Sequence, residues 1–66
     1  MFYAVYKNKG NFELWSDKFN SKDPALLQAE LRILDTYGSR SKEYARRING
    51  LQTIDQETAK YLKLIN

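Results

Sequence analysis

The spacing of apolar residues along this chain changes from a period near two to a period of three to four just before Asp23. Residues 2–7 (Phe-Tyr-Ala-Val-Tyr-Lys) are rich in aromatic and β-branched types, which predicts a strand. Residues 11–16 (Asn-Phe-Glu-Leu-Trp-Ser) alternate and predict a second strand. Between them Asn8-Lys9-Gly10 reads as a three-residue hairpin loop, with Gly10 free to adopt the left-handed conformation. Such a loop pairs Lys7 with Asn11. The register then sets Tyr6 opposite Phe12, Val5 opposite Glu13, Ala4 opposite Leu14 and Tyr3 opposite Trp15. Phe2, Ala4, Tyr6, Phe12 and Leu14 then share the expected core face, and Tyr3, Val5, Glu13 and Trp15 share the other.

Asp23-Pro24 is a helix start, because Asp suits the N-cap and Pro the first helical position. The helix is expected to run to Tyr37, with Gly38 closing it. Leu26, Leu27, Ala29, Leu31, Ile33, Leu34 and Tyr37 cover more than half its circumference, which predicts a central core helix. Glu30 falls inside that arc and is expected to reach its rim. Ser39 or Ser41 caps a second, short helix ending near Asn49-Gly50, with Tyr44, Ala45 and Ile48 as its apolar stripe. Lys42 and Arg46 stand one turn apart on the opposite side, and Arg40 and Arg47 lie on a flank. Thr53 with Gln56 three residues on forms a capping box for a third helix over 54–65, burying Ile54, Thr58, Tyr61, Leu62 and Ile65. Residues 50–52 could instead make a brief third strand. The expected fold is one α+β domain over 1–66, an N-terminal β-hairpin packed on about three α-helices, with the short third strand near 50–52 as an option.

Composition narrows the chemistry. The chain has 66 residues and no Cys or His. Disulfides, thiolate metal sites, and the commonest general base and metal ligand are therefore all absent. Its serines have no His to activate them, no glycine-rich phosphate loop exists, and no loop gathers the carboxylates that a hard metal needs. The expectation is a protein that is not an enzyme, with no cofactor and no metal. No apolar run approaches the ~18 residues of a membrane span, and the Met1–Lys7 start lacks the features of a signal peptide, so a cytoplasmic, non-membrane location is expected.

The net charge of +3 can be accounted for by residues 39–49, where Arg40, Lys42, Arg46 and Arg47 face Glu43 alone. Two constellations could use it. Tyr3 and Trp15, on the face opposite the expected core, could stack on bases while Lys7, Lys9 and Lys18 reach phosphates. Arg40, Lys42, Arg46 and Arg47 could contact phosphates from the second helix. A helix-turn-helix, with 41–49 as its first helix and 54–65 as its reader, is a related option.

Phe2-Tyr3-Ala4-Val5 followed by Gly10-x-Phe12-x-x-Trp15 resembles the start of the N-terminal hybrid-binding domain of eukaryotic-type ribonuclease H. That resemblance implies a small ββαβα module that grips RNA/DNA hybrids and double-stranded RNA without cutting them. It also implies that Tyr3 and Trp15 meet the nucleic acid, with Lys7 and Lys9 in a basic turn. The likeness covers about 15 of the 66 residues. The turn here is shorter than the family's, the stretch after Trp15 is longer, and Leu51-Gln52-Thr53 is a poor counterpart of the family's basic third strand.

The leading expectation is therefore a non-catalytic nucleic-acid-binding module for duplex, hybrid or RNA. Its contacts would come from Tyr3, Trp15, Lys7, Lys9, Arg40, Lys42, Arg46 and Arg47. The alternative is a small phage-type inhibitor or adaptor that binds a host or defence protein, with homodimerisation open. A hairpin edge invites strand addition, a chain this small has few ways to hide apolar area, and its Lys, Asn, Ile and Tyr usage suits an AT-rich genome.

Overall fold

The computed structural model describes residues 1–66. It shows an α+β fold in which one central strand is covered on both sides. Strand β1 (Phe2–Asn8) pairs antiparallel with β2 (Asn11–Leu14) on one edge and with β3 (Leu51–Asp55) on the other, giving the order β2-β1-β3. Helices α1 (Lys22–Tyr37) and α2 (Lys42–Gly50) lie between β2 and β3 in sequence, and α3 (Gln56–Tyr61) follows β3. This order differs by one added helix, α2, from the ββαβα order that the ribonuclease H resemblance implies. Because β3 separates α2 from α3, the two do not form a helix-turn-helix.

The hairpin turn is shorter than the spacing of Gly10 suggested. Lys9 (φ 52°) and Gly10 (φ 90°) are both left-handed, so they form a two-residue type I′ turn. Asn8 therefore pairs with Asn11, Lys7 with Phe12, Tyr6 with Glu13 and Val5 with Leu14. The register is one residue from the expected one, and with a side-chain period of two this moves every β2 residue to the other face. Phe12 and Leu14 now share a face with Tyr3 and Val5. Glu13 lies on the face of Ala4 and Tyr6. The physical cause is twist: a type I′ turn matches the right-handed twist of its flanking strands, and Lys9 accepts a positive φ to obtain it.

Helix α1 meets the Ala4 side of the sheet through small residues. Ala4, Ala25 and Ala29 are fully buried, and Trp15, Phe19, Leu26 and Leu51 pack around them. Ile33, one turn beyond Ala29, is fully buried as well. Alanine at these contacts lets helix and strand backbones approach closely. The remaining apolar arc of α1 exceeds what one sheet face can cover, so Leu27, Leu31 and Leu34 stay exposed rather than joining the core as expected.

Helix α3 packs on β1 and β3 through the fully buried Ala59. It starts later than the Thr53 capping box predicts. Thr53 lies in β3, and Asp55 is the cap, its side chain accepting the Thr58 N–H at 2.8 Å. The helix stops at Tyr61, where Lys63 (φ 60°) lets the Leu64 N–H donate to the Ala59 carbonyl. Tyr61, two residues after the buried Ala59 and so on the opposite side of the helix, is exposed instead of buried. The α2 boundaries agree with expectation, and Ser41 is its cap, accepting the Tyr44 N–H.

The segment from Trp15 to Ser21 is tied down by polar groups. Buried Ser16 accepts the Ala4 N–H at 2.8 Å and donates to the Asp17 carbonyl. Gln28 accepts the Asp17 N–H, and Arg32 pairs with the Asp17 carboxylate at 3.1 Å. A two-way bridge between Phe2 and Phe19 completes the attachment. No helix is long and apolar enough to cross a membrane.

Candidate functional site

Arg47 decides what the basic helix can do. The sequence places it on an outer flank, but in the fold it turns inward and is buried. Its Nε and one terminal nitrogen grip both oxygens of Glu13 at 2.8 and 3.0 Å, and its other terminal nitrogen donates to Glu43. The guanidinium plane lies 4.5 Å from the Tyr37 ring centre and 5.4 Å from that of Tyr6. Trp15 joins the cluster by donating its indole N–H to Glu13 and tilting against Tyr37 at 6.1 Å. A planar fork and an apolar face in one side chain are what this position requires, and only arginine supplies both.

The electrostatics follow from the geometry. Hydrogen bonding to Arg47 holds the carboxyls of Glu13 and Glu43 below their usual range, and the two carboxylates raise the guanidinium's own pKa in return. Neither carboxylate is free to act as a proton donor at neutral pH. Two cations of the basic segment are thereby engaged within the fold, since Arg46 also pairs with Glu43 at 3.3 Å.

The eight residues assigned to nucleic acid are not brought together as one platform. Tyr3 is only 8% exposed, and Trp15 is half-buried against the Ala4–Ala25–Ala29 cluster. The shifted register puts their side chains on opposite faces of the sheet. A bare aromatic pair at positions 3 and 15 is therefore corrected: β1 is an interior strand, and neither ring is left as an open stacking surface. Arg47 is likewise removed from the surface. Lys7, Lys9, Arg40, Lys42 and Arg46 are exposed as expected, with Lys7 resting 5.9 Å from the Phe12 ring centre. Glu30 is exposed, in keeping with a carboxylate at the rim of its helix.

The surface feature that sequence reasoning assigned to the core is the outer face of α1. Leu27 is 58% exposed, Leu31 57% and Leu34 39%. Their i, i+4, i+7 spacing puts them in one row on the side away from Ala25, Ala29 and Ile33. A shallow groove lined by Leu31, Leu34, Gln28, Arg32, Asp35 and Gly38 runs along the same helix. The signal was legible in the sequence as an apolar arc too wide for one partner. With these surfaces in view, comparison with known proteins finds no family model, no curated protein and no solved structure that matches the chain.

Proposed function

We propose that this chain is a non-catalytic module that binds another protein, and that it docks through the leucine row on α1. The observation that carries this reading is the exposure of Leu27, Leu31 and Leu34 together. Only two large side chains, Val5 and Ile33, are fully buried in the whole molecule. A chain with so small a core gains from every apolar side chain it can cover, at ~1.5–3 kcal/mol for a fully buried leucine. Leaving three on one helix face is the pattern of a surface built to be covered by a partner. The outer edges of β2 and β3 offer a second way for a chain to add, but both strands are short.

Nucleic-acid binding has less support. It retains the exposed Lys7, Lys9, Arg40, Lys42 and Arg46 but no exposed ring from the pair Tyr3 and Trp15. The two readings separate in one set of measurements on the purified protein. Duplex DNA, hybrid and double-stranded RNA are titrated at two salt concentrations while backbone amide resonances are followed. The expected result is no saturable, salt-sensitive shift over residues 40–46. In parallel, a nuclease-treated extract is passed over immobilised wild type and the Leu31→Asp variant. A protein retained by the first and lost from the second supports docking. Saturable oligonucleotide binding that Arg40→Glu with Lys42→Glu abolishes would replace this reading with the nucleic-acid one.

A further inference from the structure

We infer that the leucine row on α1 is built for a basic amphipathic helix and not for a second copy of this chain. The inference rests on the docking reading above and adds to it the chemistry of the partner.

At 100° per residue, Leu27, Leu31 and Leu34 fall within about 60° of one another around α1. Asp23 and Glu30 border the row on one side, and Asp35 borders it on the other. All three carboxylates are exposed. The helix has only two cations: Lys22 lies off the row, and Arg32 lines the groove beside Leu31 and Asp35 but is engaged by a neighbour. Arg32 reaches across to Asp17 at 3.1 Å, and Lys22, near the sheet side of the first turn, lies over the Phe2 ring at 5.5 Å. Arg40 stands in the turn beyond the C-terminal end of the row. A molecule with a net charge of +3 therefore carries a locally negative border around its row of exposed leucines.

That border selects the occupant. A two-fold dimer apposes the same patch on both partners, so each row would have to complement itself. The acidic borders of the two copies would then lie against each other whichever way the helices run, with no free cation of α1 between them. Like charges beside a desolvated contact oppose association, whereas opposite charges steer it and fix its register. A partner helix carrying leucine-type residues at three- and four-residue spacing, with Lys or Arg on its flanks, satisfies both the apolar row and its acidic border. Such a helix lies along the leucine row with its cations against the three carboxylates that border it.

The test uses the full chain and two fluorescein-labelled model helices. Both carry leucines at i, i+3, i+4 and i+7; one has lysine and the other glutamate at every flanking position. Binding is read by anisotropy at low and moderate salt, and the mass of the protein alone by light scattering. The lysine-flanked helix is expected to bind at least about tenfold more tightly than the glutamate-flanked one, with the preference shrinking in salt. Asp23→Asn, Glu30→Gln and Asp35→Asn together should erase the preference, and Leu31→Asp should abolish binding of both helices. The protein alone should remain a monomer. Circular dichroism confirms that each variant is folded. If both helices bind equally in a Leu31-dependent way, or the chain dimerises through Leu31, the row is a docking face but its charge selection is refuted. If neither helix binds, or Leu31→Asp changes nothing, the docking reading falls with it.

Discussion

At the scale of single residues, two positions act where their residue types alone would not predict. Gly50 ends α2 with its Cα directly against Tyr6, and a Cβ added there would stand 2.6 Å from Tyr6 Cε1 and 2.8 Å from Cδ1. Tyr6 is itself buried with Arg47 over its ring, so it has little room to yield. Gly50→Ala is expected to lower stability by about 1–2 kcal/mol, because overpacking outweighs the helix-propensity gain. A denaturant melt of the variant checks this, and an unchanged midpoint would contradict it. Arg47 is the second case. Arg47→Ala leaves Glu13 without its cation, leaves Glu43 with Arg46 alone, and strips a packed plane from Tyr37. Both carboxylates keep partial access to water, so the expected loss is about 2–3 kcal/mol, below that of a fully enclosed pair. Arg47→Lys should recover only part of it, since an ammonium has no fork and no flat face.

At the scale of elements, α1 has two apolar faces with opposite demands. Its inner face is small: Ala25 and Ala29 sit against Ala4 with no exposure. Its outer face is large and open. Ala29→Leu should therefore destabilise by about 1–3 kcal/mol through overpacking, while Leu27→Gln and Leu34→Gln should each stay within about 0.5 kcal/mol of wild type. Thermal melts of the three variants distinguish these outcomes. Comparable losses at Leu27 and Ala29 would return the leucines to the core. The hairpin shows how much an element depends on its turn. One residue removed from the loop sends Phe12 and Leu14 to the side of Val5 and carries Glu13 to Arg47. The ion pair that withdraws Arg47 from the basic helix's surface exists only because of that register.

At the scale of the whole molecule, the fold responds to acid through the carboxylates that it uses. Glu13 and Glu43, held by Arg47, and Asp55, held by the Thr58 backbone N–H, all have pKa values lowered in the folded chain. A lowered folded-state value means that the stabilisation is complete above the unfolded value, 4.5 for glutamate, and is lost as the pH falls through the folded one. The melting temperature should therefore decline on acidification below about pH 4.5, where a free Glu is already half protonated. Glu13→Gln should start lower and decline less steeply. Parallel slopes for wild type and Glu13→Gln would show that Glu13 contributes nothing to the acid response. The architecture itself has a related logic: β1 lies between β2 and β3, and Tyr3, Ala4, Val5 and Tyr6 are all buried. An aromatic strand in that position is interior material and not a platform.

Local chemistry written in the sequence was enough to place the two hairpin strands, the end of α1 at Gly38, a short α2 behind a serine cap, and the α+β class, although α1 begins at Lys22 with Ser21 before it and not at the expected Asp23 cap. Each depends on neighbours a few residues apart, through period, capping and turn residues, so a linear reading reaches it. What only the tertiary structure decided was which side of each element faces inward. The pairing of β3 with β1 and the reach of Arg47 across 34 positions to Glu13 are long-range events, while the two-residue turn is local but depends on a positive φ at Lys9 that its residue type does not announce. They turned Tyr3, Trp15 and Arg47 inward and Leu27, Leu31 and Leu34 outward. The physical reason is that an apolar arc or a cation is inscribed in sequence as a quantity, whereas its burial depends on what the rest of the chain brings against it.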